Sequence, residues 1–363
     1  MRIEALKVNV YCIPTDGPEE DGTIRWDSTT MVLVEAQAED GQHGLGYSYA
    51  SAAAGTLIHE ILASVVAGIP VENVREAWQA MVRSVRNIGR PGIASHAISA
   101  VDSAMWDLKA RVHDMPLFQL LGPSRNAVPI YGSGGFTNYP LEQLGEQLTG
   151  WVDGGISCVK IKVGKNWGQV PDEDVERVRF ARETIGDRAE LFVDANGGYT
   201  VQQAIQQAEK FWEYGVTYFE EPVPFDHLDQ LAFIRERIPM ALASSEYGYD
   251  TYSFRDVLVA GAVDVLQADA TRCLGVTGCL QAAELAYSFG IPFSTHTAAS
   301  LHAHIGCAVP QIDHVEYFFD HTRIEQMFFD GALEPRDGSL FPDPSRPGFG
   351  LELKRNDIEK WKI

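Results

Sequence analysis

From about residue 128 onward the chain repeats one pattern, a short apolar run followed by a longer helical stretch, at intervals of about 20–30 residues. This alternation is typical of βα units, whose strands lie parallel in one sheet. Eight runs are present, and eight parallel strands close a (β/α) barrel. The runs cover residues 128–131, 158–163, 191–193, 216–219, 240–243, 263–267, 291–294 and 312–315.

The first third of the chain has a different order. Residues 3–12 and 30–36 are predicted strands, and apolar residues at three- and four-residue spacing predict a helix over 94–112. The tail from about Gln326, rich in Gly and Pro, does not form another βα unit. We therefore predict three segments: an α+β domain over residues 1–125, a barrel over 126–325, and a tail over 326–363 that packs back on the first domain.

Acidic residues outnumber basic ones, 50 Asp and Glu against 29 Lys and Arg, which gives a net charge of −21. This charge repels phosphate backbones and anionic membranes, so we expect neither nucleic acid nor membrane as a partner. No apolar stretch approaches the ~18 residues of a membrane span, and the start resembles no targeting peptide, so a cytoplasmic location is expected. The five widely spaced cysteines are predicted to be buried thiols.

Acidic residues follow three successive barrel runs. Asp194, Glu220 and Glu246 stand 26 residues apart in turn, one βα unit each, so they are predicted to converge at the carboxyl ends of adjacent strands, where barrel enzymes carry their chemistry. Three carboxylates form an all-oxygen site that suits Mg²⁺ better than Zn²⁺. Any one of these acids alone is more simply explained as a solvated loop residue; the phasing of all three favours a metal site.

Two lysines precede this set. Lys160 and Lys162 lie two residues apart in one run, so both point to the same face of the strand and are predicted to enter the barrel mouth. The alternative is an edge strand with a solvated polar face. Mutual repulsion and a nearby metal are expected to lower a lysine pKa toward the range of a general base.

An aspartate and a histidine stand at the ends of two consecutive predicted strands. Asp269 ends the sixth run and His296 the seventh, so the carboxylate is expected to hydrogen-bond the imidazole and fix its tautomer. A lone histidine would more often be structural, but an Asp and a His at consecutive strand ends favour a catalytic pair. His302 and His304, in the helical segment that follows, are interpreted as packing or surface residues.

Together these residues resemble the enolase superfamily, specifically its mandelate racemase subgroup, over the whole chain. The resemblance rests on Lys160-Ile161-Lys162, Asp194-Ala195-Asn196, Phe219-Glu220-Glu221-Pro222, Glu246, the Asp269/His296 pair and Glu316. It implies an α/β fold, a modified TIM (β/α)7β-type barrel under an α+β capping domain that the C-terminal tail completes. Loops at about residues 15–27 and 47–55 would close the barrel mouth.

The resemblance also implies roles. In this family one Mg²⁺ per subunit binds the substrate carboxylate and stabilises the enediolate formed when a base removes the α-proton. Lys162 and His296 would be the bases on opposite faces, Asp269 would orient His296, and Glu316 would hydrogen-bond the carboxylate oxygen opposite the metal. By the same resemblance, the substrate-binding residues would be Lys160 and Asn196, and the family is commonly a homo-oligomer, dimeric or octameric.

The reaction after proton abstraction stays open at this point. We favour dehydration of a sugar acid to a 2-keto-3-deoxy acid, because acid-sugar dehydratases are numerous in the subgroup and the polar 15–27 segment, with Arg25 and Asp27, suits a polyhydroxylated substrate. Racemisation or epimerisation of a 2-hydroxy acid by the two bases is the first alternative, and lactone cycloisomerisation the next. A non-catalytic barrel that binds a metal or ligand is the remote one.

Overall fold

A computed structural model describes residues 1–363. The chain begins with a three-stranded antiparallel sheet, in the order β1-β2-β3. Its strands are β1 (Ile3–Glu20), β2 (Arg25–Ala38) and β3 (His43–Tyr49). The predicted 15–27 loop is wrong in extent: both strands run on until only residues 21–24 remain as the turn. The Asp21 carboxylate caps this turn by accepting hydrogen bonds from the amides of Thr23 (2.6 Å) and Ile24 (2.8 Å).

Helices pack on one face of this sheet. They are α1 (Ala52–Leu57), which continues through a π-helical turn (Ile58–Leu62) into α2 (Ala63–Val66), then α3 (Val74–Ser84), α4 (Ile93–Val112) and α5 (Leu117–Leu121). Helix α4 approaches β3 so closely that a side chain at Gly44 or Gly46 would meet the α4 backbone within 2.3 Å. The two glycines therefore permit the tightest contact in this domain.

Eight parallel strands form a barrel, confirming the predicted fold class. They are β4 (Val128–Gly134), β5 (Cys158–Lys162), β6 (Glu190–Asp194), β7 (Val216–Glu220), β8 (Ala241–Ser244), β9 (Val265–Ala268), β10 (Phe293–Thr295) and β11 (Ile312–Phe318). Neighbouring strands pair in sequence order, and β11 returns to pair with β4, Val315 opposite Ile130. Each predicted run overlaps one of these strands, with bounds that differ by one to three residues.

Helices surround the barrel. They are α6 (Leu141–Asp153), α7 (Lys165–Gly168), α8 (Pro171–Ile185), α9 (Val201–Trp212), α10 (Leu228–Arg235), α11 (Thr251–Ala260), α12 (Gly275–Phe289), α13 (Ala299–Ala308) and α14 (Phe319–Phe328), with a 3-10 turn at Gly186–Arg188. One continuous hydrophobic core joins the sheet domain to these layers. Inside the barrel, aromatic rings fill the lower half, with Phe192 and Tyr218 stacked at 4.5 Å. These rings form a floor beneath the strand ends.

The tail contacts both units. It contains β12 (Phe329–Asp330), β13 (Ser339–Leu340), β14 (Glu352–Leu353), α15 (Arg355–Ile358) and a 3-10 turn (Glu359–Trp361). The amide of Phe349 donates to Asp107 of α4 (2.6 Å), and the amide of Ile363 donates to the carbonyl of Val10 in β1 (3.0 Å). Strand β13 pairs antiparallel with β4, which attaches the tail to the barrel as well.

None of the helices has both the length and the apolar character needed to cross a membrane. The five cysteines are free thiols; Cys273, Cys279 and Cys307 are buried, and Cys12 and Cys158 are partly buried.

Candidate active site

Strand register brings three predicted site residues into one row. Lys162 of β5 lies opposite Asp194 of β6, and Asp194 lies opposite Glu220 of β7. All three are at the carboxyl ends of their strands, and all three are buried. Because side chains in register on parallel strands point the same way, these groups face the barrel mouth together.

The two lysines lie among the carboxylates. Lys162 Nζ donates to Asp194 Oδ2 at 2.5 Å. Lys160 Nζ lies 2.5 Å from Glu220, 2.8 Å from Glu316 and 3.7 Å from Asp194. Lys160 also lies over the ring of Tyr131, with the ammonium 3.3 Å from the phenol oxygen. Each buried ammonium is therefore compensated by at least one negative group.

The fall in lysine pKa that was predicted beside a metal stays a prediction, and the protein's own side chains act in the opposite direction. Burial lowers the pKa of Lys162, but the combined attraction of Asp194, Glu220 and Glu316 outweighs burial and repulsion by Lys160, so among these side chains the pKa is raised. Burial likewise lowers the pKa of Lys160, while Glu220 and Glu316 raise it well above its usual value. The prediction counted the two lysines and a nearby metal but not the attraction of the several carboxylates that the fold brings to the lysines.

Glu220 is the least satisfied member of the carboxylate set. Its Oε1 atom is buried without a hydrogen-bond partner. Burial, and next the negative charge of Asp194, raise the pKa of Glu220 well above its usual range. A group of this kind gains from a neighbouring cation more than from any neutral partner.

Glu246 reaches the same region from the end of β8 but is held differently. Its Oε1 lies 3.1 Å from Arg272, and its Oε2 lies 3.3 Å from Nε2 of His296. Burial raises the pKa of Glu246, but His296 and Arg272 lower it to about 2. No three acidic, histidine or cysteine side chains surround one point closely enough to hold an ion here, since lysine, arginine and histidine nitrogens bond the carboxylates instead.

The donor set nevertheless fits a hard divalent cation. Asp194, Glu220 and Glu246 supply oxygen ligands only, from consecutive strand ends, and Glu220 keeps an unpaired oxygen. These three residues are the ones that the sequence assigned to magnesium.

On the opposite side, Asp269 and His296 form a hydrogen-bonded pair. Oδ2 of Asp269 lies 2.9 Å from Nδ1 of His296, which leaves Nε2 directed toward Glu246. Burial raises the pKa of Asp269, but the hydrogen bond and charge of His296 lower it well below its usual range. The carboxylate is therefore charged at neutral pH and sets the orientation of the imidazole.

Glu316 links the two sides. One carboxylate oxygen bonds Lys160 at 2.8 Å, and the other accepts the amide of Thr297, next to His296, at 2.9 Å. Burial raises the pKa of Glu316, while Lys160 lowers it well below the usual range.

Asn196 lies beside the metal carboxylates. Its backbone amide donates to Asp194 Oδ1 at 2.9 Å, and its backbone is left-handed with φ 45°. The oxygen of its side chain is buried without a hydrogen-bond partner. This side-chain oxygen is therefore available to accept a hydrogen bond from a ligand.

Sequence reasoning missed Arg272 and Glu221. Arg272 contacts Glu246 at 3.1 Å and Asp269 at 3.5 Å, so it joins the predicted metal ligands to the histidine pair. Its position three residues after Asp269, in the same strand-end loop, was the available signal. Glu221 is buried, and burial and then Glu246 raise its pKa well above the usual range; it directly follows Glu220 in the sequence.

The β1–β2 hairpin covers the barrel mouth. Gly22 lies so near the carbonyls of Ala195 and Val163 that an added Cβ would fall within 2.8 Å of both. Its own carbonyl accepts the amide of Trp167 at 2.8 Å, and Thr137 bonds the hairpin at Asp21. The sheet domain therefore contacts three strand-end loops of the barrel directly.

Two family models match the chain. One, described as the N-terminal domain of mandelate racemase / muconate lactonizing enzyme, matches residues 16–122, and the other, described as enolase C-terminal domain-like, matches residues 143–358. The chain belongs to the mandelate racemase/muconate lactonizing enzyme family of the enolase superfamily. The resemblance drawn from the strand-end residues is confirmed, and the protein is an enzyme of this superfamily.

Relatives with known activities in this family act on sugar acids. Arabinonate dehydratase of Saccharolobus solfataricus is 29% identical, covering 92% of this chain and 90% of its own. The 3,6-anhydro-alpha-L-galactonate cycloisomerase of Streptomyces coelicolor is 31% identical, covering 97% of both chains. The family therefore includes lyases and isomerases at similar distances from this protein.

Solved structures share the whole fold. A mandelate racemase/muconate lactonizing enzyme-like protein from Rubrobacter xylanophilus superposes with a TM-score of 0.97 at 48% identity and covers 100% of both chains. L-talarate/galactarate dehydratase from Salmonella typhimurium LT2, liganded with Mg and L-lyxarohydroxamate, superposes at 0.91 with 27% identity, covering 100% of this chain and 93% of its own. Members of the family thus bind magnesium, which is the cofactor that the sequence predicted.

Proposed function

We propose that the protein removes the α-proton of a sugar acid and then eliminates the β-hydroxyl to give a 2-keto-3-deoxy acid. The observation that carries this is the placement of two groups that can transfer protons on either side of one set of carboxylates. Lys162 contacts the set at Asp194 (2.5 Å), and His296 contacts it at Glu246 (3.3 Å). A substrate whose carboxylate is held above the set has its α-carbon between the two groups.

Asp194, Glu220 and Glu246 would hold one Mg²⁺. When bound, this ion supplies positive charge that offsets the three carboxylates and attracts the carboxylate of the substrate, where negative charge accumulates as the α-proton leaves. Lys160, fixed between Glu220 and Glu316, offers a second positive group to the same carboxylate. The net charge of −21 would otherwise repel an anionic substrate.

Lys162 acts as the base in its neutral form. In this structure burial and Lys160 lower the pKa of Lys162, and Asp194, Glu220 and Glu316 raise it. A cation that neutralises Asp194 and Glu220 would leave Glu316 alone to oppose burial and the ammonium of Lys160, so the pKa would fall. The lysine then takes the α-proton, and the electron pair stays on the substrate. His296, oriented by Asp269 at 2.9 Å, gives a proton to the departing β-hydroxyl, which leaves as water, and the resulting enol becomes the keto acid.

Dehydration is favoured over other outcomes because relatives that align over nearly the full chain are sugar-acid dehydratases, which act on arabinonate, talarate/galactarate, rhamnonate and gluconate. Cycloisomerisation is the second candidate, because a cycloisomerase matches at 31% identity over 97% of the chain. Both begin with the same proton abstraction, so the residues above serve either.

The test is incubation with Mg²⁺ in D₂O against a library of aldonates, aldarates and their lactones, following keto acid and α-deuterium in the same tubes. Keto acid from a small set of stereoisomers establishes the dehydratase. Deuterium uptake without keto acid indicates a racemase or epimerase, and loss of a lactone without keto acid indicates a cycloisomerase. A library that shows none of these refutes sugar-acid chemistry at this site.

A further inference from the structure

The turn that carries His296 has an unfavourable backbone. The two residues after it, Thr297 and Ala298, both have left-handed φ angles, 48° and 41°. Neither is a glycine, and Thr is β-branched, so this conformation costs free energy that other contacts must offset. The direction of the His296 side chain therefore depends on whatever holds this turn.

Side chains hold both backbone polar groups of Thr297. Its amide donates to Glu316 at 2.9 Å, and its carbonyl accepts from Nδ1 of His302 at 2.8 Å. The other ring nitrogen of His302, Nε2, accepts the amide of Ala270 at 2.9 Å. Ala270 directly follows Asp269, so the His302 ring bridges the backbone beside each member of the Asp269–His296 pair.

The hydrogen bonds define the state of the His302 ring. A carbonyl only accepts and a backbone amide only donates, so Nδ1 carries the hydrogen and Nε2 is bare. Burial lowers the pKa of His302, while Cys279 and Asp269 raise it, with a net rise. A second proton on Nε2 would nevertheless face the Ala270 amide, and the neutral ring is the form that fits these partners.

We propose that His302 is a positioning residue that keeps the Asp269–His296 pair in register by joining the two strand-end turns from within α13. This inference rests on the proposed function for its effect on rate. The residue lies in the first turn of α13 with no exposed surface, so it touches no substrate. Besides its two backbone partners, its ring contacts the Cys279 side chain, and its Nε2 lies 4.0 Å from Asp269 Oδ1. The sequence interpretation of His302 as a packing or surface residue omitted this role.

His304 provides a matched control. It lies two residues further along the same helix and is equally buried. Its ring also bridges two backbone groups, the amide of Phe118 at 3.2 Å and the carbonyl of Phe349 at 3.1 Å. Those partners belong to α5 and the tail, so His304 stabilises the fold without contacting the turns of Asp269 or His296.

The experiment measures α-deuterium exchange on two substrate epimers at C2, one presenting its proton to His296 and the other to Lys162. His302→Phe removes both hydrogen bonds, His302→Asn keeps a donor near Nδ1, and His302→Gln keeps an acceptor near Nε2. We expect His302→Phe to lower kcat for exchange on the His296 side about 10²-fold, with KM and the Lys162 side within about threefold. His302→Asn and His302→Gln should each restore part of the loss.

His304→Phe should lower the Tm about as much as His302→Phe does. It should leave unchanged the ratio of the exchange rates on the His296 side and the Lys162 side. An equal loss on both sides in His302→Phe, or no loss on either, would overturn the inference.

A spectroscopic measurement separates this inference from the proposed function. In ¹⁵N-histidine-labelled protein, the Nδ1–H of His296 bonded to Asp269 gives a signal that requires no substrate. We expect the signal to be sharp in the wild type and in His304→Phe and to be lost or broadened in His302→Phe. If no sugar acid exchanges in the wild type, the proposed function fails; an unchanged His296 signal in His302→Phe then refutes the positioning role, and a lost signal supports it.

Discussion

Lys162 is the last residue of β5, inside a regular strand, whereas His296 lies one residue beyond β10, at the start of a turn with two left-handed residues. Charge holds the lysine, through the contact of 2.5 Å with Asp194. Directional hydrogen bonds hold the histidine turn: His296 donates to Asp269, the Thr297 amide donates to Glu316, and His302 donates to the Thr297 carbonyl. The two sides present a base to the same space, but one depends on strand register and the other on a network of side chains.

Removal of the metal should abolish exchange on both sides at once, because the ion held by the three carboxylates would bind the substrate and not either base. With EDTA we expect α-deuterium exchange to fall by more than about 10³-fold for both C2 epimers, and excess Mg²⁺ to restore it. Loss of one side alone would contradict a shared ion. Mg²⁺ should also raise the Tm, since a ligand that binds only the folded state stabilises it.

Lys162→Ala should separate the two sides most sharply. Removal of a general base costs about 10²–10⁴-fold, so exchange on the Lys162 side should fall by about 10³-fold while exchange on the His296 side continues. Lys165→Ala is the matched control, because Lys165 lies three residues on and pairs with Glu173 in a partly exposed contact. Equal losses on both sides would show that Lys162 acts on the metal site instead.

Asp269→Asn should affect only the histidine side, by about 10²-fold, because a neutral amide no longer fixes the imidazole tautomer. The measurement is the ratio of the exchange rates of the two epimers. Asp264→Asn, just before β9 at the opposite end of that strand, serves as control, since Asp264 bonds Arg235 and the amide of Leu242. An unchanged ratio in Asp269→Asn would remove the pair from the mechanism.

Substitution of Glu19 in the hairpin should change the stability of the fold without changing the ratio of the exchange rates of the two epimers. Burial and then the charge of Asp320 raise the pKa of Glu19 to about 8 from 4.5. The folded state therefore favours the protonated form, and this contribution is full below pH 4.5 and is lost as the pH rises through about 8. Glu19→Gln should raise the Tm at pH 8 by about 1–3 °C but not at pH 4.5. Exposed Glu4→Gln is the control, and a gain at both pH values would contradict the raised pKa.

The lysine side was predictable from the sequence because its geometry follows from two regular spacings, the two-residue repeat of a strand and the length of one βα unit. Strand residues two apart share a face, and carboxylates one βα unit apart reach adjacent strand ends, which is how Lys162, Asp194 and Glu220 come into one row. The hydrogen-bonded contact of Asp269 with His296 was predicted from the same spacing.

The remainder depends on groups that meet only after folding. The rise in lysine pKa comes from carboxylates on several strands, and the bridge made by His302 comes from turns that no periodicity describes. The extent of the β1–β2 hairpin was also underestimated, because residues 15–20 form a strand despite Pro, Gly and acidic side chains. A local pattern cannot supply partners that lie on other strands and turns, such as Glu220 for Lys160 or Ala270 for His302.

The closing seam of the barrel has a consequence for how the enzyme matures. Val315 of β11 pairs with Ile130 of β4, far away in sequence, so closing this seam costs more chain entropy than pairing strands that follow one another, and we expect the seam to form late. The same event brings Glu316 to Lys160, at 2.8 Å. A chain in which this seam is still open therefore lacks the ion pair between Lys160 and Glu316 that ties the lysine strand to the histidine turn, and we expect such a chain to be inactive.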